Sequence, residues 1–147
     1  MPDLETAAAG VATAVWGDAV PILMGLSAAR IHGALPRALG EAMVAVPSIH
    51  GPISLTDRNA TIRFITRNVE ALDAIRVGTE LGPALATTPA QTALDLARDP
   101  RLLEKPEDIA VVRALLDQTT VDEIADVAAT QGRTNAALAR VQKVVES

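Results

Sequence analysis

The 147-residue sequence contains no cysteine, which excludes a disulfide framework and thiolate metal ligands and fits a reducing compartment, the cytoplasm. Trp16 and Phe64 are its only aromatic residues and tyrosine is absent, so the stacking platforms that hold single-stranded nucleic acid are missing. The longest apolar runs, Ala19–Leu26 and Ala42–Val46, are far short of the ~20 residues of a membrane span. No basic start leads into an apolar stretch, so no secretory signal is read. Positive charge is not in excess either: 18 acidic residues face 13 basic ones, a net charge of −5.

What is present is an ordinary globular balance of 49% hydrophobic and 21% charged residues, the apolar share coming mostly from alanine and valine. Such a chain folds as one domain of α+β class around a small-aliphatic core. The charge is uneven. From Glu80 to Ser147 eleven acids stand against seven bases, whereas Arg58, Arg63, Arg67 and Arg76 outnumber Glu70 and Asp73 in the middle. The acidic half suits a basic partner, and the arginines are candidates for partner or nucleic-acid contact.

Periodicity divides the chain into three parts. Leu4, Ala7, Ala8, Val11, Ala12 and Val15 recur at helical spacing behind Asp3 as N-cap, and Gly17 stops the helix. A shorter helix is expected from Ser27, read as its N-cap, to Gly33, with Pro21 in the connection before it. Between residues 42 and 87 short strands are expected in a small mixed or antiparallel sheet: Ala42–Val46, Thr61–Arg67, and a pair flanking "LGP" at Leu81–Pro83, with a turn-rich connection or hairpin in "PSIHGPISLTDRN". Helices follow from 88 to 146. Thr88 caps the first, Pro89 takes the first helical position and Gln91 closes a capping box, with Ala90, Ala93, Leu94 and Ala97 as its buried stripe. Ile109, Val112 and Leu116 mark a helix over Pro106–Asp117. A second capping box, Thr120 with Glu123, precedes Ile124, Val127 and Ala128, and a last helix covers Asn135–Val145.

Catalytic patterns are not found. His32 and His50 have no second ligand at metal spacing, so no metal site or cofactor is expected. Gly25-Leu26-Ser27-Ala28-Ala29 begins like a nucleophile elbow and lacks its second glycine. No glycine-rich phosphate loop appears, and acidic pairs such as Asp122 with Asp126 sit where carboxylates suit a helix start. The sequence does not read as an enzyme. "TVDEIADVAATQGRTNAALARV" imitates a helix-turn-helix whose second helix would offer Arg133, Asn135 and Arg140 to DNA. Residues 120–147 hold four acids against three bases, however, and this is a poor match for phosphate neutralisation.

Three pieces in order, "LMGLSAARIHGALP", "VAVP" and "LGPALATTPAQTALDLAR", give the chain a resemblance to the AbiEi-like antitoxins, which are encoded beside nucleotidyltransferase toxins. The positions matching the family pattern include Ser27, His32, Gly33, Thr88, Pro89, Thr92 and Asp95. Such antitoxins usually open with a winged helix-turn-helix that binds their own promoter. No such segment precedes Leu4, so the resemblance implies the C-terminal antitoxin domain alone, with toxin neutralisation as its role and a hetero-oligomer with the toxin as its assembly. A DNA-binding regulator of its own operon is the alternative. His32 is expected to bond a backbone carbonyl or nearby hydroxyl, and Asp95 a strand or loop backbone, both as structural groups.

Overall fold

The computed structural model describes residues 3–132 and 134–146. Helix α1, Leu4–Trp16, starts where Asp3 accepts the Thr6 amide at 2.8 Å and ends at Gly17, whose φ of +93° suits a residue without a side chain. Its apolar stripe, Leu4, Ala8, Ala9 and Ala12, is buried. Strand β1, Ile22–Leu23, follows. The sequence gives no sign of it, because two residues are too few for any periodicity to show. Pro21 directly precedes it, where its missing amide costs no ladder bond.

Helix α2 runs Gly25–Ile31, which corrects the expected start at Ser27. Ser27 lies inside the helix, fully buried, and its Oγ accepts the amide of Met43 at 2.9 Å, pinning α2 to strand β2, Glu41–Val46. Met24 occupies the N-cap without a side-chain bond. Hairpin strands β3, Ile53–Leu55, and β4, Ala60–Thr66, are antiparallel, as are β5, Ala74–Thr79, and β6, Gly82–Thr87. The sheet is six-stranded and mixed, in the order β3-β4-β2-β1-β6-β5, with β2 parallel to β4 and β1 parallel to β6. The shortest strand therefore joins its two halves.

One sheet face, carrying Leu23, Val44, Ile62 and Ala86, packs against α1. On the other, Ile22, Met24 and Ala45 meet Leu72. Leu72 comes from the segment 67–73 that carries the chain from β4 to the opposite edge strand β5 and includes a 3-10 turn at Val69–Ala71.

Helix α3, Pro89–Ala97, is buried at every position from Ala90 to Ala97, so the expected one-sided stripe is too narrow. It is surrounded: α2 on one side and α4, Pro106–Leu116, α5, Val121–Ala129, and α6, Asn135–Glu146, on the others share a core around Leu94, Val112, Leu115, Ile124 and Val141. In α4 the buried positions are Val111, Val112 and Leu115, one step round from the expected stripe, with Ile109 and Leu116 partly buried. Both capping boxes are half-formed. Thr88 and Thr120 accept the amides of Gln91 and Glu123, but the Gln91 and Glu123 side chains turn elsewhere, the latter to the Thr119 hydroxyl at 2.7 Å.

Hydrogen bonds from Thr6, side chain first and then amide, hold the Asp3 carboxyl below the usual range, with partial burial opposing them. A depressed folded-state value contributes stability that is present above the unfolded pKa and lost as pH falls through the folded one. Asp3→Ala should therefore cost about 1 kcal/mol at neutral pH, a difference that disappears in urea unfolding near pH 2. Gly25 has φ +58°, and a Cβ there would stand 3.0 Å from Met43 Sδ. Gly25→Ala should cost about 1–2 kcal/mol, whereas Gly40→Ala, with open space and no positive φ, should be neutral or stabilising.

Candidate functional site

The pattern residues gather where β6 passes into α3 and α2 crosses both. His32 follows the last residue of α2, and its Nε2 lies 2.7 Å from the Thr87 carbonyl. A carbonyl only accepts, so Nε2 carries the proton. The His32 carbonyl in turn accepts from Gln118 Nε2 at 2.7 Å, tying α2 to the end of α4. Gly33, at φ +77°, turns the chain so that Ala34 can donate to the Ala29 carbonyl. The hydroxyls of Thr87 and Thr92 lie 2.7 Å apart, both fully buried. Thr88 caps α3 and donates its hydroxyl to Asp73 at 2.7 Å, while Pro89 occupies the first turn, where its missing amide is harmless.

Asp95 is the most heavily engaged of them. Its Oδ1 accepts from Gln91 Nε2 at 3.0 Å and Arg67 Nη2 at 3.3 Å, with Arg98 Nε at 3.6 Å. The partners are thus side chains, which corrects the expected bond to strand or loop backbone. Asp95 Oδ2 is buried without a hydrogen-bond partner. Burial pushes the carboxyl above its ordinary range, and Arg67, Gln91 and Arg98 draw it only part of the way back. Gln91, fully buried, accepts the Asp73 amide at 3.1 Å and exchanges bonds with Gln131, whose Nε2 also reaches the Ala71 carbonyl at 3.3 Å. Residues 67–73, α3 and the corner between α5 and α6 therefore meet in one knot.

The four arginines are not brought together. Arg58 pairs with Asp57 at 3.1 Å and Arg63 with Glu41 at 3.8 Å, Arg67 is drawn into the knot, and Arg76 is exposed on β5 at the far edge of the sheet from Arg58 and Arg63. Arg140 donates to the carbonyls of Ala97 and Arg98, and Arg133 lies outside the described residues. Among the described residues these arginines form no single basic face. Sequence reasoning missed Gln91 as a buried hub, and Gln131, Arg98 and the Glu5–Arg30 pair altogether. Only the i, i+4 spacing of Gln91 and Asp95 could have signalled any of this.

No described helix is long and apolar enough to cross a membrane. Polar bonds lock the sheet and the helix cluster together in a chain of net charge −5, and comparison gives its class: an antitoxin domain of a toxin–antitoxin system. The family model for the AbiEi antitoxin C-terminal domain matches residues 21–147, and the chain belongs to that family. A search of curated proteins finds no match. The matched segment holds every pattern residue of the knot and leaves α1 outside it.

Removing the Asp95 side chain takes a buried acceptor from Gln91 Nε2 and from the half-buried Arg67. Asp95→Ala should cost about 2–4 kcal/mol in urea unfolding. Asp95→Asn, which keeps an acceptor for both, should cost less. Combined with Arg67→Ala, Asp95→Ala should fall short of additivity by about 1–2 kcal/mol.

Proposed function

We propose that the domain neutralises a nucleotidyltransferase toxin by binding it directly, without catalysis, in the cytoplasm. A toxin that transfers nucleotides to RNA handles two polyanions and presents basic surface to them. The observation that carries the reading is where charge remains on this domain. Its central arginines are spread apart and three of the four face its own carboxylates, while Glu104, Glu107, Asp117, Asp122 and Asp126 stand exposed on or beside the outer helices. An acidic body of this kind is steered to basic surface and excludes substrate by occupying it. The pattern residues Ser27, His32, Gly33, Thr88, Pro89, Thr92 and Asp95 serve this role indirectly, by fixing the shape of the body.

Co-purification with the toxin of the same system, followed by calorimetry at two salt concentrations, tests the reading. The expected result is a stable complex whose affinity falls about tenfold or more between ~50 and ~500 mM salt. No complex at micromolar protein would contradict direct neutralisation.

A further inference from the structure

The sheet ends on two strands that differ in kind. At one edge β3 is three residues long and Pro52 stands directly before it, both ordinary guards against strand addition. At the other, β5 runs for six residues in unbroken register with β6 and contains no proline and no bulge. The Thr88 amide donates to the Asp73 carbonyl at 3.0 Å, so residues 73 and 88 are a bonded pair. Bonded pairs recur at every second residue of an antiparallel ladder, which assigns the inward bonds of β5 to Ile75, Val77 and Thr79. Ala74, Arg76 and Gly78 therefore aim their amides and carbonyls away from the sheet, and Gly78 stands opposite Pro83, which has no amide to offer it. Among the described residues these outward groups have no hydrogen-bond partner.

An open strand of this kind takes another strand, and its side chains specify which. Ile75 is 42% exposed, and Val77 beside it on the same face is half-buried. Arg76 lies on the opposite face. Neither Arg76 nor Glu80, both exposed, has an ion-pair partner among the described residues. Two copies of β5 related by a twofold axis can pair about Ile75, Arg76 or Val77. Centring on Arg76 sets like charges opposite one another, and centring on Ile75 sets Val77 against Asp73. Centring on Val77 sets Val77 opposite Val77 and Ile75 opposite Thr79, so that β-branched side chains fill the closely spaced positions. It also sets Arg76 opposite Gly78, beside which a side chain would meet open space. The guanidinium is then free to cross to Glu80 on the diagonal.

We propose that β5 is a dimerisation edge, on which a second copy of this chain lays its own β5 antiparallel, centred on Val77, with Arg76 of each copy facing Glu80 of the other. The assignment does not rest on the direct-contact reading above. It gives the antitoxin two copies of whatever surface meets the toxin.

The test is sedimentation velocity of the full chain over ~1–300 μM. It compares the wild type, Arg76→Glu, Arg76→Glu combined with Glu80→Arg, Gly78→Pro, and Glu107→Lys as a control on an exposed position of α4. The wild type should show a reversible dimer with a Kd of about 10–100 μM. Arg76→Glu should weaken it about tenfold, and the charge swap should restore it to within about threefold. Gly78→Pro removes an amide that the β6 ladder does not use and should abolish association, while Glu107→Lys changes it less than about twofold. Arg76 and Glu80 are exposed, so their variants keep the test valid even if Gly78→Pro fails to fold. A wild type that stays monomeric throughout, a dimer indifferent to Arg76→Glu, or a swap that restores nothing would overturn the proposal. A monomeric wild type whose binding to the toxin is lost in Gly78→Pro would give the edge to a strand of the toxin and overturn it equally.

Discussion

The carboxylate of Asp95 and the amide of Gln91, one turn apart on a helix with no exposed side, are the constraint on which the rest of this structure depends. A helix buried all round normally carries apolar residues all round. Helix α3 instead places Gln91, Thr92 and Asp95 in the interior, each at or below 9% exposure, and buried polar groups are tolerated only when they are bonded. Their partners come from far along the chain: Arg67 and Asp73 from the segment crossing the sheet, Gln131 from the corner before α6, Thr87 from the end of β6. Because those partners belong to different elements, satisfying α3 fixes where the sheet, the crossing segment and the outer helices stand relative to one another.

The same logic explains how small side chains suffice. Alanine supplies much of the interior, with Ala8, Ala12, Ala28, Ala29, Ala42, Ala45, Ala86, Ala93 and Ala97 all fully buried. Alanine lets backbones approach closely but contributes little apolar area per residue, so the packing gains direction from polar bonds such as Ser27 to the Met43 amide and His32 to the Thr87 carbonyl. Polar bonds between distant elements favour one arrangement over others, and among the described residues two buried oxygens, Oδ2 of Asp95 and Oε1 of Glu5, mark where satisfaction is incomplete.

Much of the fold was legible in the sequence because local chemistry wrote it there. Asp3 and Gly17 bracket α1, Thr88 and Pro89 open α3, and the turn around Leu81 joins β5 to β6. What could not be read depends on tertiary neighbours. Strand β1 has two residues and owes its existence to β2 and β6 on either side. Ser27 looks like a cap in sequence because serine favours that position, but Gly25 at positive φ lets the helix begin earlier and puts the hydroxyl under β2. At the candidate site the resemblance picked out Asp95 and Thr88 without their partners, since Arg67 is 28 residues from Asp95 and Gln131 is 40 from Gln91. The mid-chain arginines looked like a cluster only along the chain. In the sheet, strand order carries Arg76 to the opposite edge.

In this antitoxin domain the knot joins the segment crossing the sheet, α3 and the corner before α6, so these parts are expected to open together. Native-state hydrogen exchange tests that claim most directly. The amides of Ala93–Ala97 in α3 are expected to exchange only through global unfolding, with the same free energy as the slowest amides of β2 and β4. Exchange of those α3 amides through a separate, lower-energy opening while the sheet stays protected would contradict it.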